Sequence, residues 1–146
     1  MEVKFTKNHF QQVKNIIWDD VILQMSEEFK KKTHKMVVKD LNTPPTIVLH
    51  GYTYPNTIGE AFKEVNTETG VNNLHVYTSF GENSSTFGRH KDSMDVLIVQ
   101  SIGSICYCFD DGKIYKLDPG DSIYVPKGVY HNPLVLTPRV TLSFSW

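Results

Sequence analysis

An imidazole and a carboxylate, His90 and Asp92, form the most reactive pairing in this sequence. They stand two apart in Phe87-Gly88-Arg89-His90-Lys91-Asp92, just ahead of an apolar run that begins at Met94. In an extended chain, residues two apart share a face, so the imidazole and the carboxylate would project to the same side. His131 follows the turn Pro126-Lys127-Gly128 and is the candidate third member. Two imidazoles and one carboxylate form the facial set that holds Fe(II) and leaves adjacent coordination positions open. Those positions could take a bidentate cosubstrate and dioxygen. A single carboxylate leaves the site positively charged, which suits an anionic keto acid. Zinc sites more often recruit further Cys or His. The same His-x-Asp spacing also closes ordinary turns as a hydrogen-bonded pair, so its context must decide. His9, His34, His50 and His75 have no obvious partner in the sequence and read as structural or surface residues.

The elements that must position these residues change character once along the chain. Between Asn8 and Lys32 there is neither Gly nor Pro. Phe10, Val13, Ile16, Ile17, Val21, Leu23, Met25 and Phe29 recur there at roughly three- and four-residue steps. This predicts a helical stretch with a break near Asp19-Asp20. The basic end at Lys30, Lys31, Lys32 and Lys35 suits the negative pole of a helix dipole. Pro44-Pro45 breaks the chain, Thr46 to Leu49 reads as a short strand, and Thr57-Ile58-Gly59-Glu60 has capping-box spacing. A second helix is expected from Ile58 to about Val65, with Gly70 closing the helical part.

After Val71 the pattern is β. Strands are expected at Leu74–Phe80, Met94–Gln100, Ile105–Phe109, Lys113–Leu117, Ser122–Val125, Val129–Leu136 and Arg139–Ser145. Asp110-Asp111-Gly112, Asp118-Pro119-Gly120-Asp121 and Pro126-Lys127-Gly128 supply the turns between them. Closely spaced short strands argue a jelly roll or barrel. The expected architecture is mostly β within α+β: one domain over 1–146, with a helical cover over 1–70 and a β-barrel core over 71–146. On the last strand, Arg139, Thr141, Ser143 and Ser145 alternate with Val140, Leu142, Phe144 and Trp146. A helical cover needs an apolar sheet face to sit on, which would turn the polar face into a pocket. The other reading leaves that polar face in water. Tyr77 lies on the strand before the His90 segment; its phenol could donate to an anion or simply pack in the core.

The run Phe87-Gly88-Arg89-His90-Lys91-Asp92-Ser93-Met94-Asp95-Val96-Leu97-Ile98-Val99-Gln100-Ser101-Ile102-Gly103 resembles the iron-binding segment of the cupin-type, Jumonji-C-like 2-oxoglutarate oxygenases. Leu117-Asp118-Pro119-Gly120-Asp121 through Pro126-Lys127-Gly128-Val129-Tyr130-His131 is similar to the family's second segment, a Pro-Gly-Asp turn followed by the distal histidine. The resemblance covers about half of the chain, from Leu74 onward, and its second segment is shared with cupins of many activities. It implies a double-stranded β-helix, the cupin jelly roll. It also implies Fe(II) on His90, Asp92 and His131, with 2-oxoglutarate as cosubstrate. The implied reaction is oxidative decarboxylation to succinate coupled to hydroxylation of a C–H bond. One position departs. Fifteen residues after the first ligand histidine the family commonly has a Lys or Arg that pairs with the distal carboxylate; here it is Ile105. Arg139-Val140-Thr141 resembles the Arg-x-Ser/Thr pattern that other 2-oxoglutarate oxygenases carry after the distal histidine. It nominates Arg139 and Thr141 as cosubstrate anchors, with Tyr77 beside them. An arginine offers a forked, permanent cation for a carboxylate.

Two alternatives stay open. One is a metal-binding cupin acting as a direct dioxygenase, isomerase or lyase, which Ile105 favours. The other is a non-catalytic binding or structural module. The substrate is left as a small molecule or a protein side chain, and cupin-like barrels often form homodimers through edge strands or helices.

Composition narrows the field. The 146 residues suffice for one core, and 40% of them are hydrophobic. Fifteen Lys and Arg face 16 Asp and Glu, which argues against a basic nucleic-acid binder and against an acidic disordered tail. No apolar stretch has the length to span a bilayer, and the N-terminus lacks an apolar signal core, so a cytoplasmic protein without a membrane partner is expected. Cys106 and Cys108 sit two apart, a poor geometry for a disulfide, and read as two small core residues of a strand.

Overall fold

The computed structural model describes residues 2–50 and 56–146. In chain order the elements are β1 (Lys4–Thr6), a 3-10 turn (Gln12–Asn15), α1 (Trp18–Lys31), β2 (Lys35–Val37), β3 (Thr46–Leu49) and α2 (Asn56–Thr69). Then come β4 (Asn73–Ser79), β5 (Val96–Ile102), β6 (Ile105–Phe109), β7 (Ile114–Leu117), β8 (Ser122–Val125), β9 (His131–Val135) and β10 (Arg139–Ser145). The strands form an antiparallel jelly-roll sandwich. A seven-stranded sheet runs β1-β8-β5-β10-β4-β3-β2, and a three-stranded sheet runs β7-β6-β9.

Period-two patterning decides which way each strand faces. On β5, Leu97 and Val99 join the cluster under the helices, while Val96 and Ile98 join the cluster between the sheets. A strand in the middle of a sheet covered on both faces must be apolar on both, hence its unbroken run of buried residues. β10 is different. Val140, Leu142 and Phe144 pack beneath the helices, and Arg139 and Ser143 face the space between the sheets. The polar face of β10 therefore turns inward. On α2, Ile58, Ala61 and Val65 are the buried stripe that seals the opposite face.

The N-terminal third departs from the expected long helix. The stretch 8–32 splits at Ile16 and Ile17, ahead of the expected break at Asp19-Asp20. The cause is tertiary. The Val13 carbonyl accepts the Ser101 hydroxyl at 2.7 Å, and the Ile17 N–H donates to the Thr57 hydroxyl at 3.4 Å. In a continuous helix these two groups would have bonded to each other. Segment 1–70 is also more than a helical cover. β1 adds to β8 at one edge of the large sheet, and β3 and β2 extend it beyond β4 at the other. Edge strands expose unpaired backbone, and these segments cover those edges.

The expected capping box is not formed. Thr57 lies inside α2, and its N–H donates to Asp20 Oδ2 on α1 at 3.0 Å; its hydroxyl bonds the same oxygen. These hydrogen bonds hold the Asp20 carboxyl below its ordinary range, and burial acts against them. Asp20 therefore contributes fully above about pH 4, and its contribution fades as pH falls through the lowered native value. Asp20→Ala is expected to cost about 1–2 kcal/mol of stability at pH 7. Urea unfolding at neutral and acid pH checks this; a difference independent of pH would remove the carboxylate charge from the explanation.

The cysteines are not core residues. Ile105 and Tyr107 take the inward face of β6, and Cys106 and Cys108 share its half-exposed outer face as free thiols. Ile105 is fully buried between Leu117 and Val135, so nothing charged stands there. No helix among the described residues is long and apolar enough to cross a membrane.

Candidate metal centre

His90 and His131 face each other across an isolated antiparallel bridge on the outer edge of β9. The His90 N–H donates to the His131 carbonyl at 2.9 Å and the His131 N–H to the His90 carbonyl at 2.8 Å. The loop that carries Asp92 is clipped to the turn before β9. Gly128 N–H donates to the Asp92 carbonyl at 2.9 Å, and Lys127 N–H to Asp95 Oδ1 at 2.8 Å. Gly128 sits at φ 80°, a conformation that favours glycine, and the turn it makes re-aims the chain toward His131. Two segments distant in sequence are thus fixed to each other by backbone bonds.

His90, Asp92 and His131 each bring one ligand atom into a group spanning no more than 4.8 Å. Nδ1 of His90 lies 2.7 Å from the Gly88 carbonyl, and Nδ1 of His131 lies 2.9 Å from the Val129 carbonyl. A carbonyl can only accept, so Nδ1 carries the proton in both rings. In the neutral rings Nε2 is then a bare lone pair. These Nε2 atoms face Asp92, at 3.8 Å from Oδ1 for His90 and 3.4 Å from Oδ2 for His131. Three lone-pair donors thus converge with no proton of their own between them. That donor set fits a divalent cation, and its backbone-held ring orientation is what metal-binding histidines require.

The triad opens onto a cavity of about 530 Å³ between the two sheets. Arg139 lines it and is only 3% exposed. Its Nε donates to the Ser79 hydroxyl at 2.9 Å and its Nη2 to the Thr46 hydroxyl at 3.4 Å. No carboxylate of the described residues pairs with it. Burial lowers its pKa to about 10, with Tyr107 and Tyr77 acting in the other direction. The Tyr77 ring centroid is 5.7 Å from the guanidinium, and burial pushes the Tyr77 phenol up. Tyr107, also on the cavity wall, is raised further by the same cause. Both phenols therefore remain protonated donors.

The structure brings His90, Asp92, His131, Arg139 and Tyr77 to one cavity. It does not bring Thr141. That hydroxyl donates to Gln100 Oε1 at 2.7 Å, and Thr141 is not on the cavity wall. Gln100 in turn donates to the carbonyls of Ile102 and Gly103, so Thr141 braces the β5–β6 turn. Gly103, at φ 72°, lets that turn touch the backbone of Pro138, just ahead of Arg139. Thr46, Ser79 and Tyr107 were not legible as site residues. Only Tyr107 left a signal: it alternates with Ile105, on the face where the basic residue was missing. His50 and His75 are not partnerless either. His50 Nδ1 lies 3.2 Å from His75 Nε2, and His75 lines the cavity. His9 bonds both Ser122 and Glu68.

No protein-family model matches the sequence, and no curated protein matches it significantly. Solved structures do resemble the fold. A ribosomal oxygenase from Escherichia coli, YcfD, in complex with cobalt and 2-oxoglutarate, superposes with a TM-score of 0.74 at 15% identity. The match covers 99% of this chain and 47% of that one, so the chain spans about half the length of that relative. A prolyl-4-hydroxylase from Pseudomonas putida matches with a TM-score of 0.56 at 8% identity, over 99% of this chain and 91% of the other. The chain has the cupin-type double-stranded β-helix fold found in these oxygenases.

Proposed function

We propose that the chain is an Fe(II)- and 2-oxoglutarate-dependent oxygenase that hydroxylates a C–H bond. The observation that carries this reading is a buried guanidinium, unpaired with any described carboxylate, on the same cavity as the His-Asp-His cluster. A cation so placed needs an anion. A dicarboxylic keto acid supplies one for Arg139 and a chelating pair of oxygens for the triad. The fold's likeness to an oxygenase solved with cobalt and 2-oxoglutarate, and also with cobalt and succinic acid, supports it.

His90, Asp92 and His131 would hold the metal; bound iron supplies dioxygen activation, which no side chain can provide. The overall balance is substrate C–H, 2-oxoglutarate and O2 to alcohol, succinate and CO2. Arg139 fixes the distal carboxylate, and the Tyr77 and Tyr107 hydroxyls remain available as donors beside it. Val96 and Ile98 give the cavity an apolar wall. We place this activity in the cytoplasm, where reduced iron and 2-oxoglutarate are supplied.

The test supplies Fe(II), ascorbate and 2-oxoglutarate under air and follows succinate, with Arg139→Ala as control. Succinate that depends on Arg139 is expected. Ile105 favours a second reading, a cupin whose metal acts directly on a small ligand; tight metal binding without succinate would select it. Absence of metal binding would leave a binding module.

A further inference from the structure

β4 and β10 lie side by side in antiparallel register along the cavity floor. Arg139 pairs with Ser79, Thr141 with Tyr77, Ser143 with His75 and Ser145 with Asn73. Six residues of strand separate the Arg139 end from the Ser145 end, about 20 Å at the usual rise. The Tyr77 ring meets that of Phe87 at 6.4 Å between centroids, and Phe87 meets His90 at 5.8 Å, which sets the triad nearest the middle of that register. The cosubstrate described above, on which this inference rests, occupies the floor between Arg139 and the triad. The half beyond the triad is left for something else.

That half has its own chemistry. Asn73, His75, Ser143 and Ser145 line it on the β4–β10 side, and Val96 and Ile98 of β5 line its other flank. Apart from the metal ligand Asp92, none of these side chains is a carboxylate or an ammonium. Their hydrogen-bonding groups are only partly used. Asn73 Nδ2 donates to Ser145 Oγ at 3.0 Å, which leaves the Ser145 proton and the Asn73 carbonyl oxygen to a ligand. Ser143 is half-buried and makes no side-chain hydrogen bond among the described residues. His75 uses Nε2 toward His50, so its Nδ1 is the nitrogen left over. His50 is itself fixed, because its backbone N–H donates to the buried Glu28 carboxylate at 2.7 Å. A proton shared between the two rings can sit on either one. His75 Nδ1 then serves as donor in one tautomer and acceptor in the other.

We propose that Asn73, His75, Ser143 and Ser145 form the recognition subsite for the prime substrate, and that it selects an uncharged carboxamide. The two serine hydroxyls donate to the amide oxygen. Asn73 Oδ1 and His75 accept from the amide nitrogen, and the aliphatic stem lies along Val96 and Ile98. These four side chains offer hydrogen bonds and no formal charge of their own, so a charged group gains no ion pair from them in exchange for the hydration it gives up.

Saturation-transfer NMR tests this without turnover or metal. The probes are the N-acetyl, N-methylamide derivatives of asparagine, glutamine, aspartate and lysine. The two carboxamide probes are expected to bind at least about tenfold more tightly than the two charged ones. One lost hydrogen bond corresponds to about that factor, so Ser143→Val should weaken carboxamide binding by about tenfold. Valine suits a strand, so that variant stays folded even if His75→Phe, the second variant, does not. Equal binding of the charged probes, binding unchanged by Ser143→Val, or no binding of any probe would each overturn the proposal. Mn(II) and 2-oxoglutarate binding to the same wild-type sample reports separately on the oxygenase reading. Carboxamide selectivity without either would keep the subsite and discard the oxygenase.

Discussion

Asp92→Ala is expected to weaken divalent metal binding by more than about 100-fold, because losing even an outer partner of a metal ligand costs 10–100-fold. Succinate formation should fall with it. The side chain supplies the only negative charge of the triad, and its two oxygens face one imidazole each. Without it, two neutral imidazoles are left to hold a hard dication. The substitution also separates chemistry from folding cleanly. The clip between the two segments uses the Asp92 backbone carbonyl, not its carboxylate, so the His90–His131 bridge survives. Asp92→Asn keeps the shape and removes the charge, and should behave nearly as badly as alanine. Electron paramagnetic resonance of added Mn(II), with circular dichroism as the fold control, measures this. Wild-type Mn(II) affinity in a folded Asp92→Ala protein would remove the triad from the metal site.

Arg139→Met carries the second large effect, and its two parts have opposite signs. In the protein without cosubstrate, Arg139 is a buried cation that among the described residues hydrogen-bonds the Ser79 and Thr46 hydroxyls and meets the Tyr77 ring, with no carboxylate beside it. Replacing a buried charge with an apolar residue of similar volume is often neutral or stabilising. Arg139→Met should therefore melt at or above the wild-type temperature. Binding should collapse. A desolvated, bidentate guanidinium–carboxylate pair is worth about 2–5 kcal/mol, so the Kd for 2-oxoglutarate should rise by about 30-fold or more. A ligand that binds only the native state raises the melting temperature with its concentration. Thermal melts with metal, over a 2-oxoglutarate series, should show a rising midpoint for wild type and a flat one for Arg139→Met. An equal rise in both proteins would place the distal carboxylate elsewhere. Arg139→Lys should recover only part of the affinity, since an ammonium cannot fork onto both oxygens.

The strands were legible wherever a period of two met a turn with its own chemistry. β6, β8 and β10 have the expected bounds, because Asp-Gly, Pro-Gly and Pro-x-Gly turns punctuate them. The inward polar face of β10 followed from its alternation and from the need to seat helices on Val140, Leu142 and Phe144. The N-terminal third was harder. Nothing local in Val13 or Ile17 announces that Ser101 and Thr57 will take their backbone groups, so the break was read at Asp19-Asp20 and not at Ile16-Ile17. Cys106 and Cys108 were correctly placed on one face of a strand, but alternation alone does not say which face is inside. Here the bulk of Ile105 and Tyr107 claimed the interior.

Thr141 shows the limit of a motif, since its spacing from Arg139 was right and its hydroxyl is spent on Gln100. Local order fixes which residue types alternate, where the chain turns, and therefore that His90 and Asp92 share a face ahead of a buried strand. Which groups are left unpaired is settled by long-range packing. The bare Nε2 atoms of His90 and His131 depend on the Gly88 and Val129 carbonyls capturing the opposite nitrogens. The unpaired charge of Arg139 depends on β3 and β4 offering hydroxyls rather than carboxylates. The pairing of His75 with His50 depends on Glu28 fixing the end of β3. Hydrogen-bond satisfaction is a property of the whole packed molecule, and a site's chemistry resides in the groups that packing leaves unsatisfied.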